Sequence, residues 1–159
     1  MIRHLQSLAR DDRGASIIEM ALALPVLSGL LIGMVDISRA YSAKLQIEQS
    51  AQRAIEKVQQ YNTSDSTYNT LKTEAASAAR AAGFTTVADT DVTIDYWLEC
   101  NGTRQADYNT VCPSGQAYAR WITLDIPAKF TPMFSSRRWP GSNSDGTYTI
   151  HGKAGLRTQ

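Results

Sequence analysis

The sequence predicts an α+β protein: one long amino-terminal helix, a second short helix and a small antiparallel sheet. Three observations carry this. An apolar run near the amino terminus passes without a turn signal into a stretch with helical periodicity. A short alanine-rich helical segment follows it. Two later segments then alternate apolar and polar residues with a period of two.

The first element begins with MIRHLQSLARDDRG, which carries Arg3, Arg10 and Arg13, and continues as GASIIEMALALPVLSGLLIGMV from Gly14 to Val35, whose single ionisable side chain is Glu19. At ~1.5 Å per residue this run spans a hydrocarbon layer of ~30 Å. Basic residues before the run favour an amino end in the cytoplasm, and Arg39 and Lys44 beyond it keep that bias small. Two other readings compete. A cleaved secretory signal would share the basic start and the apolar stretch, but the run exceeds the usual length and holds a carboxylate. A buried core helix would show a polar stripe, and this segment is apolar on all sides.

Burying the Glu19 carboxylate in hydrocarbon costs ~2.5–3.5 kcal/mol, so the residue needs a partner or a route to the headgroups. Pro25 removes a backbone donor and predicts a kink or local unwinding near Ala21–Leu22. Gly29 and Gly33 form a small-xxx-small pattern that permits close approach of a second membrane helix.

Past Asp36, the residues Ile37, Tyr41, Leu45, Ile47, Ala51, Ile55 and Val58 keep an apolar face at helical spacing among Lys44, Glu48, Arg53, Glu56 and Lys57. The helix therefore continues as an amphipathic stalk. Its apolar stripe is read as the side on which the domain's own sheet rests, with a filament-packing face as the alternative. The polar cluster YNTSDST, residues 61–67, ends it. A second helix is predicted over Thr70–Ala82, with Leu71, Ala75, Ala78 and Ala82 on one face and Gly83 as its stop.

Strands are predicted where Val92, Ile94, Tyr96 and Leu98 alternate with Thr93, Asp95, Trp97 and Glu99, and where Tyr118, Arg120, Ile122, Leu124 and Ile126 alternate with Ala119, Trp121, Thr123 and Asp125. A third is predicted over Gly146–Ala154 after the turn SNSDG. The segment from Pro127 to Pro140 reads as a loop holding Phe130, Met133, Phe134 and Trp139, either a docking patch or a plug for the core. Cys100 and Cys112 bracket a polar loop and should pair in an oxidising exterior, worth roughly 3 kcal/mol. Two cysteines do not complete a zinc sphere, and His4 and His151 are far apart in sequence.

A net charge of +1 offers no footprint for nucleic acid. No GxSxG elbow, HExxH helix, phosphate-cradling glycine loop or Cys/His nucleophile pair occurs, so no enzyme activity, cofactor or small-molecule substrate is expected. Asp89, Asp91, Asp95 and the Asn143/Asp145 turn could bind calcium only if folding gathered them. The sequons at Asn62 and Asn101 read as surface turns, and His151 as a solvated strand residue.

The string Arg13-Gly14-Ala15-Ser16-Ile17-Ile18-Glu19 resembles the processing site of type IV pilin-like precursors. The longer stretch RGASIIEMALALPVLSGLLIGMVDISRAYSAKLQIEQSAQRA resembles the TadE-like family, minor pseudopilins of tight-adherence (Tad) pili, with its intramembrane Glu, Pro25, and Asp36 followed by Arg39. Met20 departs from the usual aromatic, and Ile17-Ile18 from the usual small pair. The resemblance implies a pilin-like fold and cleavage after Gly14 by a prepilin peptidase. Ala15 would be the new amino terminus, and Glu19 would pair with a neighbour's α-ammonium. It implies as partners other pilins or pseudopilins and an inner-membrane assembly platform. The expected organisation is a leader over 1–14, a transmembrane helix over 15–35, a stalk over 36–60 and an exported domain over 61–159. The competing function is a single-pass anchored binding or sensor domain that is never trimmed.

Overall fold

A computed structural model describes residues 12–57, 65–134, 137 and 140–158. The residues of the expected leader before Asp12, Val58, the first part of the YNTSDST cluster with Asn62, and Trp139 lie outside the described residues. The chain divides into two compact units, Met1–Arg39 and Ala40–Gln159.

Helix α1 runs over Asp12–Glu56. In the first unit its large apolar side chains stand open, Ile17 72% and Leu22 70% exposed. This does not fit the core-helix reading: among the described residues the segment is uncovered, which suits an apolar medium. Helical conformation continues through Ala21, Leu22 and Pro25, so the local unwinding expected there is not seen. A proline in mid-helix deletes one N–H, and the flanking turns remain helical.

In the second unit α1 turns Ile47, Ala51, Ala54 and Ile55 into the core. Of the predicted stripe, Tyr41 and Leu45 are exposed, and so is Ile37 in the first unit. Full burial begins only at Ile47. Helix α2 covers Asp65–Ala81, five residues earlier than Thr70. The polar residues read as a turn begin this helix instead, because an acidic residue such as Asp65 is favoured where backbone N–H groups are unsatisfied. Its buried face comprises Leu71, Ala75, Ala76 and Ala79, with Ala78 and Ala82 half-buried. The contact stripe is thus rotated from the predicted one. Ser50 of α1 is buried at this seam and donates to Gln46 O at 2.9 Å and Ala78 O at 3.4 Å. Gly83, at φ +102°, ends α2: its N–H reaches Arg80 O at 3.0 Å and that of Phe84 reaches Ala79 O at 3.0 Å. This pair of bonds is a Schellman cap.

The sheet comprises β1 (Thr93–Cys100), β2 (Thr103–Arg104), β3 (Tyr118–Phe130) and β4 (Tyr148–Arg157), in the order β2-β1-β3-β4, antiparallel throughout. Ile122, Leu124, Ile126 and Ala128 of β3 are buried in the same cluster as the α1 and α2 residues. Strand β3 runs past Pro127 to Phe130, where a loop was expected. The register explains the tolerance. Arg120 O accepts from Thr158 N at 2.8 Å and Ala117 O from Asn101 N at 2.7 Å, so even-numbered β3 residues offer their backbone to β4 and odd-numbered ones to β1. Strand β1 stops opposite Asp125, so the donor missing at Pro127 would have pointed past its end.

Helix packs tightly on sheet at Gly152 of β4, where a Cβ would lie 2.3 Å from Ile47 O and 2.6 Å from Ile47 C. Glycine is required there by approach and not by backbone conformation. One residue away, Lys44 of α1 donates to His151 O and pairs with Glu48 at 2.9 Å.

Candidate functional site

Two regions stand out, and they do different things. The first is the apolar part of α1. Gly14 and Ala15 both lie in the first turn of the helix. Glu19 is exposed on a helix whose neighbouring side chains Ile17, Ile18, Met20 and Leu22 are apolar and exposed. The next ionisable side chain along the helix is Asp36, about 26 Å further on at helical rise. Asp36 pairs with Arg39 at 3.2 Å, so charge returns as a compensated pair. Ser28 returns its hydroxyl to Leu24 O at 2.7 Å, so that hydroxyl is satisfied within the helix. A Cβ on Gly29 or Gly33 would meet nothing within 4 Å, so these glycines leave a shallow open strip on the helix. What this region offers is an apolar surface of membrane length with one carboxylate near its start.

The second region is the sheet face opposite the helices. Odd-numbered residues of β1 and β3 point there. Trp97 and Trp121 are directly opposed across the strands and stack with centroids 6.3 Å apart and planes 16° apart. Both indole N–H groups donate to Glu99, at 2.8 and 3.1 Å. Arg104 lies 4.7 Å over Trp97 and forks onto Asp95 at 2.7 and 3.1 Å. That hydrogen-bonded carboxylate raises the guanidinium pKa above its ordinary value. The sequence reading places Asp95, Trp97, Glu99 and Trp121 in the alternating set of two strands and does not anticipate the aromatic pair. The signal was two tryptophans at polar-face positions of neighbouring strands, with an acid two residues on.

Cys100 and Cys112 form a disulfide with Cα atoms 5.6 Å apart. The loop it closes is not purely irregular. Asn101 (φ 52°) and Gly102 (φ 80°) make a tight hairpin turn into β2, a short strand the sequence reading omitted. Tyr108 in the same loop packs edge-on against Tyr96 at 5.2 Å.

The carboxylates considered for calcium are dispersed, and among the described residues no group of three His, Cys, Asp or Glu side chains gathers. Asp89 pairs with Arg80 at 3.2 Å, and hydrogen bonds from Thr73 and Arg80 lower its pKa. Asp145 is held well below the usual carboxylate range, first by Lys129 at 2.7 Å and then by Thr147. His151 is paired, its Nδ1 lying 2.9 Å from Asp125. A shallow depression of about 430 Å³ on the outer face is lined by Thr93, Asp95, Thr123, Lys153 and Gly155. It contains no nucleophile beside a base.

Comparison with known proteins gives one family. The sequence model of the TadE-like protein family matches residues 14–55, 42 of the 159 residues, nearly coincident with the stretch 13–54 on which the sequence resemblance rests. No curated protein and no solved structure matches the chain.

Proposed function

We propose that this chain, TadE-like over its amino-terminal segment, is a minor pseudopilin of a Tad-type pilus, anchored once in the bacterial inner membrane with its domain outside the cytoplasm. The coarser statements stand on the match and the helix: a pilus-related, structural family, and one amino-terminal apolar helix that suits single-pass anchoring. The finer role is our inference. A prepilin peptidase cuts after Gly14, and Ala15 becomes the amino terminus. The work done is binding: other pilins or pseudopilins and the membrane assembly platform are its partners.

The single observation that carries this reading is Glu19, a carboxylate on an uncovered apolar helix inside the segment that matches the family. Alone in lipid it is costly; opposite the α-ammonium of a trimmed neighbour, both charges are compensated, and the cost of burial becomes a preference for assembly. Pro25, Gly29 and Gly33 serve the same packing, through helix compliance and close approach.

The test is a piliation assay with Glu19→Ala and Glu19→Gln in a strain carrying the whole system. Both variants should insert at normal levels and assemble poorly, because neither offers a negative charge. Normal piliation by both would refute the assembly role of the carboxylate.

A further inference from the structure

The two edges of the sheet are finished differently. At one edge β2 covers the end of β1, and Gln105 N donates to Leu98 O at 2.7 Å. At the other, β4 is the terminal strand over ten residues. The bond from Thr158 N to Arg120 O and the pairing of Gly152, Ala154 and Leu156 with Ile126, Leu124 and Ile122 show that even-numbered residues here face β3. Odd-numbered residues therefore aim their N–H and C=O groups outward. Lys44 occupies the outward carbonyl of His151. Among the described residues nothing bonds the outward backbone groups of Lys153 or Gly155. Gly155 is exposed and has no side chain to screen its backbone.

We propose that β4, from Lys153 onward, is a strand-addition site for an extended segment of a partner protein bearing acidic side chains at alternate positions. Charge complementarity selects that occupant. Lys153, its side chain 70% exposed and only loosely paired with Asp125 at 3.6 Å, and Arg157, which donates to Tyr118 O at 3.3 Å and keeps its net charge, stand on the outer face of this half-strand, where the side chains of an added strand would lie beside them. The same charges disfavour a second copy. Antiparallel self-pairing centred on Gly155 would set Lys153 of one copy against Arg157 of the other. Lys44 fixes the start of the site, because a strand extending past His151 would have to displace it. The site is independent of the pilus reading, since it uses only the sheet and its edge.

The test uses the full isotope-labelled chain in detergent micelles and three synthetic peptides. They are acetyl-Thr-Glu-Val-Glu-Val-Thr-amide, its counterpart with lysine for glutamate, and the acidic peptide with alternate backbone nitrogens methylated. The acidic peptide should shift the Lys153 and Gly155 amide resonances and slow their hydrogen exchange by about tenfold or more, while the other two leave them unchanged. Lys153→Glu with Arg157→Glu, both exposed and away from the core, should reverse the preference to the basic peptide. The proposal is overturned if no peptide moves these amides. Equal binding of the methylated peptide overturns it too, since contact would then not run through the backbone. So does concentration-dependent protection of the same amides without peptide, which would make a second copy the occupant.

Discussion

Replacing Gly152 by alanine tests the close approach of α1 to β4. The new Cβ would fall 2.3 Å from the carbonyl oxygen of Ile47 and 2.6 Å from its carbon, about 1 Å inside ordinary contact. Both are backbone atoms, so no side-chain rotation relieves the overlap. Strand β4 is held through the pairing of Gly152 with Ile126, and α1 through Lys44 on His151 O. One of them must move, and either movement loosens Ile47 and Ala51, both fully buried. Overpacking of this kind costs about 1–3 kcal/mol, against which a Gly-to-Ala change returns roughly 0.4–1 kcal/mol by restricting the unfolded chain. A net loss of about 1–2 kcal/mol should lower Tm by roughly 4–10 °C for a unit of this size. Gly155→Ala is the control: its Cβ meets the Thr123 methyl at 3.3 Å, a side-chain end that can shift, and Ile122 O at an ordinary 3.8 Å, so the change should stay within about 0.5 kcal/mol. Thermal unfolding of the full chain in detergent, followed by near-ultraviolet circular dichroism, reads both. Equal melting of Gly152→Ala and the parent chain would show that α1 does not lie on β4 as described.

Other consequences are simpler. Cys100→Ser with Cys112→Ser removes the closure of a loop with a sequence separation of 12, and should cost about 3 kcal/mol, measured by urea unfolding. Glu99→Ala leaves two indole N–H groups without their shared acceptor; about 1 kcal/mol and much of the tryptophan near-ultraviolet signal should be lost. Asp145 has a depressed folded-state pKa, so its contribution is present above the ordinary aspartate value of ~3.9 and disappears as pH falls through the folded value. Asp145→Asn should therefore melt below the parent chain at neutral pH, and the two curves should converge only in strong acid.

The fold was legible where the sequence pattern has one cause. Alternation in β1 and in the first half of β3 reflects burial of one sheet face, and the core residues Leu98, Ile122, Leu124 and Ile126 follow it directly. The apolar run of α1 was legible for the same reason, since nothing ionisable interrupts it except Glu19. Three features were hidden, each because a local signal had two meanings. Pro127 reads as a strand end, yet it sits where no neighbour wants its N–H. Asp65, Ser66 and Thr67 read as a turn, but the same residue types begin helices. The alanines of α2 carry little amphipathic contrast, so the buried face could be assigned only after α1 and the sheet were placed around it. At the site, Glu19 was visible as an anomaly of charge in an apolar run. The Trp97–Trp121 pair was not, because its meaning depends on a cross-strand register that only the fold supplies.

The account rests on a chain trimmed to place an α-ammonium beside a lipid-buried acid. Intact-mass and amino-terminal peptide mapping of membrane-extracted protein, from cells that carry the prepilin peptidase, tests this most directly. The account predicts a chain beginning at Ala15, and recovery of the precursor instead when the peptidase is deleted. A chain that still begins at Met1 in peptidase-positive cells would contradict it.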